Sequence, residues 1–378
     1  MLDSKRMSTA MKIAVGLSGG VDSSVAAALL AQEGHSVIGI TMKIWNNTFS
    51  VPDGASKACF GPNEEEEVAV CETLCRKLGI EYRAIDLSAE YEERVLNYFR
   101  REYLGGRTPN PCIRCNNEIK FGFLIERAHA LGLDFDYFAT GHYARISRAA
   151  SGLVRLRAAL DQGKDQSYFL YRLGPERLPR VLFPLGELTK GQVRDKARAL
   201  GLEVAEKPES QDFIAGGDYS TLFAAKAPES GDIVDADGKM LGRHRGLPYY
   251  TIGQRRGLGL AASVDAGGGD PEPLYVIALD PAKNRVIVGR NHGLFAEALI
   301  ASDFITYPRP DDVGPGYRGF AKIRQNHRPV PCSVEPGADG SFKLCFDDSQ
   351  RAIAPGQSVV VYDDEGFVLG GGVIEKAL

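Results

Sequence analysis

Ser18-Gly19-Gly20-Val21-Asp22-Ser23 follows an apolar run at residues 12–17 (KIAVGL) and precedes a helix-forming stretch at 24–32 (SVAAALLAQ). The first run reads as a buried strand, the glycine-rich hexapeptide as a tight turn, and the third as a helix closed by Gly34. A β-rich run at 36–44 (SVIGITMKI) completes a βαβ unit, which implies parallel strands and a right-handed crossover. Such a turn suits an anion. Its glycines let the backbone approach phosphate, the amides opening the helix point at it, and Ser18 and Ser23 add hydroxyl donors. Asp22 would by itself repel phosphate, so it reads as a Mg2+ ligand or as a brace for the loop. Gly-Lys-[Ser/Thr] occurs nowhere in the chain, which removes the common Walker loop. The plain alternative is a ligand-free βα turn, and the position in the first βα turn of a βαβ unit weighs against it. The remaining readings share one chemistry: ATP is cleaved between its α and β phosphates, and the adenylated oxygen is later displaced by a nucleophile.

Outward from this loop the alternation continues. Residues 64–78 (EEEEVAVCETLCRKL) form a helix with acids in its first turn and bases in its last, as the helix dipole favours. A strand at 81–87, a helix at 89–103 and a strand at 136–140 running into Gly141-His142 extend a doubly wound α/β domain to about residue 201. Beyond residue 210 the helical period fades. Short β-rich runs at 249–252, 274–279, 285–288, 321–324, 358–362 and 367–369 alternate with turn signals, and 266–273 reads as a flexible glycine-rich loop. The expected organisation is therefore an ATP pyrophosphatase domain at 1–209, a small central β-rich linker domain at 210–280 and a C-terminal β-barrel at 281–378.

The net charge of −4 over 378 residues excludes a generally basic nucleic-acid coat but not local patches. Two acid-free basic stretches stand out: Arg243, His244, Arg245, Arg255 and Arg256, interleaved with Tyr249 and Tyr250, and then Arg318, Lys322, Arg324, His327 and Arg328. They are candidate phosphate contacts, although such runs are more often solvated faces. No apolar run reaches the roughly 20 residues that span a bilayer, and residues 1–11 lack an apolar signal core, so a cytoplasmic address without a membrane partner is expected.

The seven cysteines are an odd number without secretory features, so thiols, metal ligands or catalytic groups are expected rather than a disulfide framework. Cys112-Ile113-Arg114-Cys115 lies between the proline-rich Pro109-Asn110-Pro111 and a helix at 118–130, where a helix N-terminus and Arg114 would favour thiolate. Three readings stay open for this pair: a sulfur-carrying nucleophile, a redox dithiol, or two ligands of a metal or iron–sulfur centre. The bland alternative is a buried structural pair. Cys71 and Cys75, four apart on one helix, read as small core residues. Cys59 sits in a Gly/Pro loop where ligands are common, whereas Cys332 and Cys345 read as packing residues.

Several strings together resemble the bacterial tRNA-specific 2-thiouridylases, which thiolate the wobble uridine. They are Gly16-Leu17-Ser18-Gly19-Gly20-Val21-Asp22-Ser23, Thr108-Pro109-Asn110-Pro111, Cys115-Asn116 with Ile119-Lys120-Phe121, and Thr140-Gly141-His142-Tyr143. Further along come Lys164-Asp165-Gln166-Ser167-Tyr168-Phe169-Leu170, then Thr251-Ile252-Gly253-Gln254-Arg255-Arg256-Gly257-Leu258-Gly259, and Pro355-Gly356-Gln357. The resemblance implies an N-terminal PP-loop domain of the adenine nucleotide α-hydrolase-like kind, a small central domain and a C-terminal β-barrel. It also implies that Gly16 to Ser23, Met42 and Gly141 hold ATP, and that Asn110, Pro111, His142, Lys164, Asp165, Gln166, Arg324 and Gln357 meet the tRNA anticodon loop. Cys115 falls on the family's catalytic cysteine.

Two departures bear on sulfur delivery. The family pattern has aspartate where Cys112 stands, and its second cysteine lies in Ser-x-x-Ile-Cys-Phe-Ile, whereas here Ser210-Gln211-Asp212 runs straight into Phe213-Ile214. One thiol is lost and another gained, three residues from the surviving one. Either Cys112 takes the missing thiol's part as persulfide carrier or resolving thiol, or Cys112, Cys115 and Cys59 hold a [4Fe–4S] cluster whose open iron binds sulfide. The sulfur donor would be a relay protein or sulfide. An amide-forming ATP pyrophosphatase and a non-catalytic tRNA-binding protein with a relic loop are the competing classes.

Overall fold

The computed structural model describes residues 10–46, 58–149, 152–208, 213–215, 219–223, 227–260, 272–308 and 316–378. The chain divides into two compact units. One comprises Met1–Val95, Pro111–Tyr219 and Glu365–Val368; the other comprises Leu96–Asn110, Ser220–Asp364 and Leu369–Leu378.

In the first unit, β1 (Lys12–Gly16), β2 (Ser36–Lys43), β3 (Glu81–Asp86), β4 (Tyr137–Thr140) and, after an antiparallel hairpin of β5 (Ala144–Arg148) and β6 (Val154–Ala158), the short β7 (Val181–Leu182) are the strands. The main sheet has the order β3-β2-β1-β4-β7 with every pair parallel, Lys12 facing Ser36 and Ile13 facing Tyr137 across β1. The strand order reverses at β1, so the crevice at its carboxyl end is where such sheets bind ligands. Helix α1 (Val21–Gln32) buries residues on nearly every side, among them Val21, Val25 and Leu30, which places it inside the unit and not on its surface. Helix α2 (Glu64–Leu78) buries only Cys71, Leu74 and Cys75, and Gly79 closes it in the left-handed conformation.

One helix expectation is met with a change of winding, and one needs correction. The expected helix at 89–103 is Ser88–Tyr91, a π-helical turn over Glu92–Leu96, and Asn97–Leu104. The expected helix at 118–130 begins instead at Pro111, running as Pro111–Arg114, a π-helical stretch Cys115–Phe123, and Leu124–Ala130. Proline is tolerated at the first helical position because its missing N–H has no helical acceptor there, so Pro111 opens the helix. The Cys-x-x-Cys pair is thus on the helix, not ahead of it. The wider π turns also break the 3.6-residue period on which sequence reading depends.

The second unit holds a four-stranded sheet of β8 (Gly231–Val234), β9 (Met240–His244), β10 (Tyr275–Asp280) and β11 (Arg285–Gly289), in the order β10-β11-β8-β9. It also holds a closed barrel of β12 (Phe295–Thr306), β13 (Tyr317–Lys322), β14 (Val330–Pro336), β15 (Phe342–Arg351), β16 (Ser358–Tyr362) and β17 (Val368–Ala377), ordered β12-β15-β14-β13-β16-β17. Leu299, Ala321, Val334, Leu344, Val361 and Ile374 fill its interior. The run at 249–252, expected as β-rich, is a 3-10 turn at Leu247–Tyr249 followed by a further turn, because Pro248 removes a ladder donor. Of the glycine-rich 266–273, residues 266–271 lie outside the described residues, as do Ser210, Gln211 and Asp212. Among the described residues no helix is long and apolar enough to cross a membrane.

Candidate active site

The hexapeptide sits where β1 hands over to α1. Gly19 has φ +67, and a side chain there would press on the Glu67 backbone at 3.3 Å. Gly20 is the N-cap of α1 and gives no side-chain cap, which leaves the first-turn amides for an anion. The Ser18 N–H donates to Ser23 Oγ at 3.2 Å, and Ser24 Oγ donates to the Gly20 carbonyl at 2.8 Å, so the serines set the loop's curvature. Gly141 at the end of β4 packs directly on the loop. A Cβ there would lie 2.5 Å from Ser23 N and 2.6 Å from the Asp22 carbonyl carbon. Met42, partly buried, is close to the end of neighbouring β2.

The two readings of Asp22 part here. Its carboxylate accepts two hydrogen bonds from Lys190 Nζ, both 2.8 Å, and a third from Tyr143 Oη at 2.8 Å. It is therefore a braced group. Lys190 is the first residue of the helix Lys190–Ala199, whose N-cap Thr189 forms a reciprocal capping box with Gln192. A second lysine, Lys207, donates to the Gly19 carbonyl at 2.8 Å. Neither lysine is among the residues expected from the sequence. Nothing local signals them, since they meet the loop from 168 and 188 residues away.

Cys115 and Cys112 lie on the helix opened by Pro111, both partly buried, whereas Cys59 is exposed. All three influence Tyr91, which is completely buried and stacks on Phe60 at 5.1 Å; Phe60 in turn meets Trp45 edge-on at 4.8 Å. Phe60 is held by a parallel bridge to Ile214, its N–H donating to the Phe213 carbonyl at 2.9 Å. The expectation of a thiolate favoured by the helix start is not met at Cys115. Burial pushes its thiol up to about 11, with Lys120 pulling the other way and Cys59 adding to the rise. Cys71 and Cys75 are core residues as expected, and burial pushes the Cys75 thiol up to about 12. Cys332 is buried in the barrel and Cys345 only partly so. Among the described residues no group of three or more His, Cys, Asp or Glu side chains is placed to hold a metal ion.

The residues expected to meet tRNA divide by environment. Asp165 is buried, and its carboxylate accepts from the N–H groups of Ala159 and Ser167 and from Ser167 Oγ. The Gln166 side-chain oxygen accepts from Tyr143 N–H at 2.9 Å, which supports the tyrosine that braces Asp22. His142 Nδ1 lies 2.8 Å from Thr140 Oγ1, and burial together with Lys120 holds its ring well below the usual pKa. Lys164 is partly exposed and Pro111 is buried. In the second unit, Thr108 N–H donates to the Pro355 carbonyl at 2.7 Å and Gln357 Nε2 to the Thr108 carbonyl at 3.0 Å, placing Asn110 two residues from that contact. Arg324 is exposed.

The two basic stretches are less basic outside than in sequence. His244 is 1% exposed, with Nε2 near the Asn284 carbonyl and Nδ1 accepting from Gly246 N–H, and Lys322 is also buried. Burial lowers His327 below its ordinary pKa. Arg318 pairs with Asp347 at 2.6 Å, two strands away in the barrel, and Arg243 with Asp232 at 3.7 Å on the paired strand, acids that a linear reading does not see.

A five-stranded parallel sheet whose first βα turn is a doubly braced Ser-Gly-Gly-Val-Asp-Ser loop defines an α/β nucleotide-binding domain of the HUP class, here followed by two β-rich modules. Residues 11–215 match the tRNA methyl transferase HUP domain family, 221–290 the tRNA methyl transferase PRC-barrel domain, and 306–374 the aminomethyltransferase β-barrel domain. The tRNA-specific 2-thiouridylase MnmA of Endomicrobium trichonymphae is 45% identical over 97% of this chain and 100% of its own. That of Roseiflexus sp. (strain RS-1) is 44% identical over 97% and 99%. The chain belongs to the tRNA-specific 2-thiouridylase family. Among solved structures, a 4-thiouridine synthetase–RNA complex with bound ATP is 18% identical, with TM-score 0.31, covering 52% of this chain and 43% of that one, a likeness too loose to bear on the site.

Proposed function

We propose that this chain is an ATP-dependent tRNA-uridine 2-sulfurtransferase acting on the wobble uridine, U34. The observation that carries the reading is one α/β unit holding both the braced Ser18–Ser23 loop and the Cys112/Cys115 pair, in a chain aligned end to end with named 2-thiouridylases. ATP binds with its phosphates on the loop and α1 amides and its nucleoside against Met42 and Gly141. The uridine O2 attacks the α phosphorus and pyrophosphate leaves. Sulfur carried at Cys115 then attacks C2, and AMP leaves. We assign tRNA contacts to Pro111, His142, Lys164, Asp165 and Gln166 in the first unit and, separately, to Asn110, Arg324 and Gln357 in the second; the Gln166 side chain also holds the backbone next to His142.

Magnesium would enter with the triphosphate. Asp22 is a single carboxylate already hydrogen-bonded three times, so the residues present do not form a metal cradle of their own and no step is routed through one. The [4Fe–4S] reading meets a similar test. Cys59, Cys112 and Cys115 share the neighbourhood of Tyr91, but as placed they do not form a three-thiolate set, so sulfur is assigned to a Cys115 persulfide with Cys112 as its partner thiol. The donor is a relay protein that carries sulfane sulfur as a persulfide: the Cys115 thiolate takes its outer sulfur and the relay's thiol leaves. Once that sulfur is bonded to C2, the Cys112 thiolate attacks the Cys115 sulfur, the 2-thiouridine sulfur leaves, and a dithiol reductant reopens the Cys112–Cys115 disulfide.

Mass spectrometry of tRNA nucleosides after incubation with ATP and a sulfur source tests the assignment. The Cys115→Ser chain is expected to make no 2-thiouridine while still releasing pyrophosphate in a tRNA-dependent way. A Cys112/Cys115 double replacement that spares product formation would point to an amide-forming synthetase, and absence of tRNA-dependent pyrophosphate release to a non-catalytic binder. Stoichiometric iron retained after anaerobic reconstitution would overturn the persulfide assignment in favour of the cluster.

A further inference from the structure

A phosphate loop that lacks its own lysine must obtain positive charge elsewhere. With magnesium entering on the triphosphate, about two net negative charges approach Ser18–Ser23, Asp22 adds another, and the α1 N-terminus offsets only about half a charge. Lys190 answers this. Its ammonium lies 2.8 Å from both Asp22 oxygens, its side chain is only 12% exposed, and it stands over the Tyr143 ring at 5.8 Å from the centroid. Asp22 is the second residue of α1, so Lys190 stands within one helical turn of the amides that receive phosphate. The capping box on Thr189 fixes the backbone from which the lysine projects.

We infer that Lys190 is the phosphate-binding cation of this loop, parked on Asp22 until ATP arrives and then shared between Asp22 and the β-phosphate side of the scissile bond. This rests on the reading of the loop as an ATP site. An ammonium is a point charge with rotatable donors, so it exchanges one carboxylate oxygen for a phosphate oxygen without leaving Asp22. In that position it stabilises the charge that builds on pyrophosphate as the α–β bond breaks and the uridine oxygen bonds to the α phosphorus. Asp22 then holds the lysine in place and lowers the cost of leaving it in a partly buried site. Lys207, donating to the Gly19 carbonyl, fixes the loop backbone and is given no phosphate role.

The competing explanation is that Lys190 only neutralises Asp22. Calorimetric binding of inorganic pyrophosphate and of AMP to the full chain separates the two, using Lys190→Met and the double variant Lys190→Met/Asp22→Asn. The double variant removes the uncompensated carboxylate, so it remains interpretable if the single variant folds poorly. Loss of a charge-assisted contact is expected to weaken pyrophosphate binding about tenfold or more in both variants, with AMP binding changed by about twofold at most. Recovery of wild-type pyrophosphate affinity in the double variant would overturn the inference, as would a parallel fall in AMP binding. A wild-type chain that binds neither AMP nor pyrophosphate refutes the ATP reading of the loop itself.

Discussion

Burial holds Cys115, the proposed sulfur carrier, as a neutral thiol. Burial raises its thiol to about 11, above the ordinary cysteine range, so folding favours the neutral thiol, and the thiolate forms only as pH rises toward 11. In the ligand-free chain, alkylation of Cys115 by iodoacetamide is expected to climb about tenfold per pH unit between pH 7 and 10 without levelling. A plateau at or below pH 9 would show an ordinary thiol. The Cys112-Ile113-Arg114-Cys115 pair was visible in the sequence as a motif, but the acidity of Cys115 was read the wrong way. Its neighbour Tyr91 stacks on Phe60, and Phe60 is positioned by Ile214, 154 residues along the chain. Asp22 shows the same division. That it must be a ligand or a brace followed from charge alone, whereas its partners Lys190 and Tyr143 required the fold.

At the scale of elements, the capping box at Thr189 does two things: it ends the unsatisfied amides of the helix Lys190–Ala199 and it aims Lys190 at the loop. Thr189→Ala is expected to cost about 1 kcal/mol, seen as a melting-temperature fall of roughly 2–4 °C, and an unchanged melt would show that the cap is idle. The βαβ opening was readable because β1 and β2 are buried apolar runs flanking a helix that is apolar from Val25 to Ala31. The barrel was read only in part. β12, β14 and β15 carry polar residues at their outward positions, and β12 is interrupted by register shifts, with Asp303 in a left-handed conformation at φ 49, so their period of two is broken. Pro111 was read as loop punctuation, yet the same residue is a sound way to begin a helix.

For the whole molecule, the net charge of −4 means that any attraction to a polyanion is local. The exposed Arg324, the partly exposed Lys164 and the arginines of the acid-free stretches must supply it against acids that lie close by. About four phosphate contacts would give a log–log salt slope near −3, so tRNA affinity is expected to fall roughly 60-fold between 50 and 200 mM salt. Filter binding across that range checks this, and flat binding would count against an electrostatic footprint.

The pairing of Asp22 with Lys190 also sets a schedule for protein synthesis. The loop emerges from the ribosome 168 residues ahead of the lysine that balances it, a delay of roughly 10–30 s at ordinary elongation rates. Throughout that interval the nascent chain carries the nucleotide-binding sequence without its counter-charge. ATP should therefore be captured late, once the last helix of the sheet domain has closed over the first turn.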